Sequence, residues 1–87
     1  MRISVEMSLD PLQTEYVEEI LDFLEELKKI EGLSIKTNTM STHVHGECDL
    51  VMSSIAKCLK VPFESRVPMA LVTKILSSDR EHSILNN

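Results

Sequence analysis

His43, His45 and Glu47 alternate in the run H-V-H-G-E. Alternate residues of a strand share a face, so both imidazoles can reach one ion, with Glu6 or Glu47 as a third ligand. Only the two histidines are firm ligands, and a zinc centre takes at least three from the protein, so histidines on a polar sheet face are the plainer reading. Cys48 and Cys58 stand ten residues apart. On one helix that is ~15 Å, whereas a disulfide needs Cα atoms within about 7 Å. An intrachain bridge is therefore excluded. Cys48, near a helix N-terminus, has the setting of a reactive thiolate. An inert small residue kept reduced is the commoner use of such a cysteine. Nucleophilic catalysis lacks a pattern: there is no G-x-S-x-G elbow and no Cys/His pair at a fixed spacing. With two glycines in the chain, no Gly-rich phosphate loop exists either. Glu15, Glu18, Glu19, Asp22, Glu25 and Glu26 crowd one segment, where a solvated helix face outweighs an acid/base pair. These residues predict a protein that is not an enzyme.

The elements that would carry these side chains follow from periodicity. From Arg2 to Leu9 the residues alternate, with Ile3, Val5, Met7 and Leu9 on one side and Ser4, Glu6 and Ser8 on the other. Period two is a half-buried strand, which Asp10-Pro11 should stop. Tyr16, Val17, Ile20, Phe23, Leu24, Leu27 and Ile30 recur at helical steps and predict a helix over 13–30, capped by Thr14 and stopped by Gly32. Leu33 to Met40 and Thr42 to Gly46 alternate again and predict a hairpin turning around Thr39 to Ser41. Which sheet face takes the hairpin's polar groups stays open, because a one-residue slip exchanges the two. Asp49 should open a second helix, with Leu50, Met52, Ile55, Ala56 and Leu59 as its apolar stripe, ending before Pro62. Arg66 to Leu76 is a further apolar, β-rich run, and the polar tail over 77–87 is expected to fray.

The order β-α-β-β-α-β predicts one α+β domain over 1–87 of the ferredoxin-like kind. Its sheet is antiparallel and four-stranded, with both helices on one face. At 87 residues and 43% hydrophobic content, one core is all the chain can build. Net charge is -5 at pH 7 and no basic stripe occurs, which argues against nucleic acid. No run of 18 apolar residues exists and the opening residues are not a signal peptide, so a cytoplasmic protein is expected. In the last strand Val67, Met69 and Leu71 share one side while Pro68, Ala70 and Val72 share the other. Apolar side chains on both faces predict a partner on the sheet: a homo-oligomer, dimer or tetramer.

One stretch is distinctive, T-N-T-M-S-T-H-V-H-G from Thr37 to Gly46, followed by Glu47, Asp49, Val51 and Met52. With the opening I-S-V-E-M-S-L-D-P-L (Ile3 to Leu12), it resembles the YkoF-like thiamine-binding family. The likeness runs from about Ile3 to Leu76 and includes length and element order. It implies a non-catalytic binder of thiamine or its hydroxymethylpyrimidine part, acting in salvage or transport of the vitamin, without a cofactor. It also implies assembly through the sheets. In that reading Asn38, Ser41 and Thr42 supply donors and acceptors to the aminopyrimidine. Met40 supplies a soft apolar wall, and Glu6 or Glu47 answers the cationic thiazolium. Two other readings compete: a metal-binding protein using His43 and His45, and a structural or regulatory oligomer without ligand.

Overall fold

The computed structural model describes residues 1–11, 17–38, 41–65 and 68–78. The elements are β1 (Arg2–Pro11), α1 (Val17–Lys28), β2 (Ser34–Thr37), β3 (Thr42–Glu47), α2 (Cys48–Glu64) and β4 (Met69–Leu76). The strands form one sheet in the order β2-β3-β1-β4, and every neighbouring pair is antiparallel. This is the ferredoxin-like α+β architecture that the alternation and helical periods predict.

β1 lies at the centre and its alternation sorts the molecule into two sides. Ile3, Val5, Met7 and Leu9 are buried with Phe23 and Leu27 of α1 and Val51 and Ile55 of α2. Cross-strand partners share a face, so the register puts Val44 and Thr42 of β3 on this same covered side, opposite Val5 and Met7. Met69 and Leu71 of β4 also pack against this core, whereas Val72 is exposed. β4 thus sends Met69 and Leu71 toward the helices and Ala70 and Val72 to the open face; Val67 lies outside the described residues.

The end of β1, the end of α2 and the buried face of α2 depart from the sequence expectation. β1 does not stop at Leu9: Asp10 and Pro11 continue the ladder opposite Ala70 and Met69. Beyond Met7 the described pairing of β1 is with β4 alone, and the end of a strand with one neighbour is where a sheet tolerates proline. α2 does not end before Pro62 but runs to Glu64. A proline forfeits one helical hydrogen bond, while its ring here is fully buried and its carbonyl accepts from both the N–H and the Oγ of Ser65. The buried stripe of α2 is Val51, Ser54, Ile55, Cys58 and Pro62, and Met52 and Ala56 face solvent. The expected stripe was rotated because Met52 is as apolar as Val51, and periodicity cannot choose between adjacent candidates. In α1, Phe23 and Leu27 are buried as predicted, while Thr14 and Tyr16 fall outside the described residues.

Two glycines allow the helices to sit close on the sheet. Gly32 has φ +93, in the left-handed region, and a Cβ there would lie 2.8 Å from Leu50 Cδ2. A Cβ on Gly46 would meet the Gly32 carbonyl at 3.1 Å and Val51 Cγ2 at 3.2 Å. Gly32 follows a tightening of the α1 terminus in which Lys29 and Ile30 donate to the carbonyls of Glu26 and Leu27. Among the described residues no helix is long and apolar enough to cross a membrane.

The helix phase gives a direct test. Ile55→Ala should lower unfolding free energy by about 2–5 kcal/mol, whereas Met52→Ala should change it by less than about 0.5 kcal/mol. Urea denaturation followed by circular dichroism measures both, and the reverse ranking would refute the rotated stripe.

Candidate functional site

The face of the sheet away from the helices collects the polar halves of the strands. The register aligns Lys36 of β2, His43 of β3, Glu6 of β1 and Lys74 of β4 as one row across all four strands. Beside it runs a second row, Ser34, His45, Ser4 and Leu76. His43 is the hinge of the first row. Its Nε2 lies 3.6 Å from Glu6 Oε2 and 3.3 Å from Ser41 Oγ. In the second row Ser4 Oγ is 2.8 Å from His45 Nδ1, and both residues are buried.

Between β1, β4 and the start of β3 the surface dips into a concavity of about 440 Å³. Glu6, Ser8, Ser41, Val72 and Lys74 line it, together with Met7 and Thr73. It offers one carboxylate, two serine hydroxyls, an ammonium and an apolar wall, with the His43 imidazole beside Glu6 and Ser41. Such a surface can hold a small, flat, hydrogen-bonding molecule and place a cation against Glu6. Ser41 Oγ and the Glu6 carboxylate face the same His43 Nε2, so the imidazole links the two sides of the concavity.

Of the five residues implied as ligand contacts, the four that are described do not all line one site. Glu6 and Ser41 share the concavity. Thr42 does not join them: it is buried on the helix-covered side, opposite Met7 and Thr37, because consecutive strand residues face opposite ways. Asn38 is exposed and shapes the turn, its Oδ1 accepting from the Ser41 N–H at 2.8 Å and its N–H donating to the Ser41 carbonyl at 3.0 Å. Asn38 thus positions Ser41 rather than lining the concavity. Met40 lies outside the described residues. Glu47 stands at the far end of β3, where it pairs with the Met1 amine and raises the pKa of that group. Val72 and Lys74 were missed as site residues. Their shared parity on the last strand was the available signal, but only pairing to β1 brings them opposite Ser8 and Glu6.

His43 and His45 do share the open face, as alternation predicts. Among the described residues, however, no three His, Cys, Asp or Glu side chains converge as a metal site would require. Cys48 and Cys58 are free thiols. Burial pushes the Cys58 thiol up from its ordinary pKa, with Glu26 adding to the effect, so its reactive thiolate is disfavoured.

Comparison with known proteins shows the fold and stops there. No protein-family model matches the chain, and no curated protein matches it. Among solved structures, protein SP2199 from Streptococcus pneumoniae superposes with a TM-score of 0.80 at 21% identity, covering 99% of this chain and 96% of that one. A hypothetical protein from Methanocaldococcus jannaschii gives 0.76 at 22% identity, covering 98% and 90%. A Thermotoga maritima protein described with a proposed role in thiamine biosynthesis or salvage gives 0.74 at 18% identity, covering 90% and 85%. A domain of unknown function, DUF77, from Bacillus cereus also shares the fold.

If Asn38 works through the turn, Asn38→Ala should cost about 0.5–1.5 kcal/mol of stability, the worth of one ordinary hydrogen bond. Thermal unfolding reads this out, and an unchanged melting temperature would remove Asn38 from its role in positioning Ser41.

Proposed function

We propose that the chain is a non-catalytic, cytoplasmic binding protein for thiamine or its hydroxymethylpyrimidine part, acting in salvage or transport. The observation that carries this reading is the concavity on the open sheet face, where Glu6 and Ser41, two residues of the thiamine-family resemblance, meet Ser8, Val72 and Lys74. The Thermotoga maritima fold neighbour, described with a thiamine biosynthesis or salvage role, supports it.

The charges orient the ligand. A thiazolium is repelled by the Lys74 ammonium and attracted by Glu6, so its place is the β3 side of the concavity, near Glu6 and Ser41. The aminopyrimidine then lies toward Ser8 and Val72, with serine hydroxyls serving as either donor or acceptor. Phe23 is spent in the core and Phe63 belongs to α2, so among the described residues no aromatic platform serves the concavity. Ring-edge hydrogen bonds and the Val72 methyls must therefore supply the contacts.

Isothermal titration with thiamine and with neutral hydroxymethylpyrimidine tests this. Both should bind saturably, and Glu6→Gln should weaken thiamine by about tenfold or more, the worth of a charge-assisted contact. Hydroxymethylpyrimidine should be affected much less. Absence of heat with both ligands would reject the proposal, and an equal loss for both would remove Glu6 as partner of the cationic ring.

The same reading includes a homo-oligomer. β4 is an edge strand of eight residues whose Val72, Ile75 and Leu76 are exposed, at 60%, 49% and 44%. An apolar edge of this length, without a further strand on it among the described residues, is a template for pairing or stacking. Val72→Lys should stay folded and shift the population toward monomer in light scattering. Leu71→Lys should instead unfold the protein, because it sets a charge against the core. A monomeric unmutated protein at high micromolar concentration would end the oligomer proposal.

A further inference from the structure

On the opposite side of the molecule α1 and α2 enclose a groove of about 340 Å³. Its floor is apolar, built from Phe23, Cys58 and Pro62, and Val61 forms a wall that is 65% exposed. Its α1 rim is acidic, made of Asp22, Glu25 and Glu26. The Glu26 carboxylate is already paired with Lys29 Nζ at 3.0 Å. Among the described residues Asp22 and Glu25 have no ion-pair partner, and Lys57 is the one cation lining the groove. Leu21, exposed at 53%, sits one turn before Glu25 on α1.

We propose that this groove docks a basic amphipathic segment of another protein, with apolar anchors on the floor and Lys or Arg along the α1 rim. The volume admits one or two bulky side chains, and the exposed Val61 adds an apolar wall on the α2 side. That is the pattern of helix-in-groove recognition, in which anchors one or two turns apart enter a hydrophobic trough. Charge selects the occupant. A second copy using the same face would set the α1 carboxylates Glu18, Glu19, Asp22 and Glu25 against their own equivalents, a repulsive arrangement. A cationic segment meets complementary charge. The groove and the sheet concavity share no residue, so this proposal does not rest on the ligand proposed above.

The test uses the whole, unmutated chain labelled with nitrogen-15 and three synthetic probes. The first is a Leu/Lys peptide with Leu at i, i+4 and i+7; the second replaces every Lys by Glu; the third is oligolysine of equal length. The Leu/Lys peptide should shift the amide resonances of residues 22–26 and 57–61, with both other peptides at least tenfold weaker. Asp22→Lys with Glu25→Lys should reduce Leu/Lys binding at least tenfold with an unchanged far-ultraviolet spectrum. Val61→Ser should reduce it about threefold or more. Glu31→Lys, a charge change outside the groove, should leave it within twofold. Shifts confined to the open sheet face would overturn the proposal. So would oligolysine binding as tightly as the Leu/Lys peptide, or Glu31→Lys weakening binding as much as the double reversal.

Discussion

The structure depends on one constraint, the alternation of β1 between two strands. Its inward residues, Ile3, Val5, Met7 and Leu9, are all buried, while its outward residues, Ser4, Glu6 and Ser8, belong to the open face. Each fully buried aliphatic side chain contributes about 1.5–3 kcal/mol. Sliding β1 by one residue would move its four apolar side chains off the helix-covered core and put Glu6 into it, so the register is strongly fixed. Because β3 and β4 both pair with β1, that one register also fixes who stands beside Glu6: His43 on one side and Lys74 on the other.

The helix layer holds this arrangement from behind. Gly46 lets α2 approach β3 closely, and Val51, Ile55 and Cys58 fill the space over the central strands. A larger residue at 46 would push against Val51 and the Gly32 carbonyl, displacing the strand that carries His43 and His45. At the other end of the hairpin, Asn38 and Ser41 close the turn through two hydrogen bonds. Ser41 is thereby held beside His43 and within the concavity, while Thr42 is turned into the core. The division of labour between these neighbours is a consequence of the strand beginning between them.

The two faces of the molecule differ in charge as well as in shape. The row Lys36, His43, Glu6 and Lys74 interleaves signs across the sheet, so attraction there is local and depends on where a ligand's charge lies. The α1 surface concentrates carboxylates, with Lys28 and Lys29 confined to the helix end. Acidic residues near the start of a helix and basic ones near its end suit the helix dipole. Asp22 and Glu25 lie in its middle, where the dipole gives no reason for them.

Local pattern was enough to determine the element order, the covered and open sides of β1, the buried face of α1 and the separation of Cys48 from Cys58. These depend on the period of side chains along a single segment, which the chain writes directly. Wherever two adjacent residues were equally apolar, the pattern was silent. Val51 and Met52 are the instance: only the packing of α2 on the sheet chose Val51. Proline positions were read too strictly, since the tolerance of Pro11 depends on its neighbouring strands and that of Pro62 on burial. The candidate site was half legible. Glu6 and Ser41 were implied by the resemblance of their segments to the thiamine-binding family, but Lys74 and Val72 are more than sixty residues from Glu6 in the chain and meet its strand only through β1–β4 pairing. Cross-strand neighbours are set by register, which is a property of the assembled sheet, and so the tertiary structure alone decided the company that Glu6 keeps.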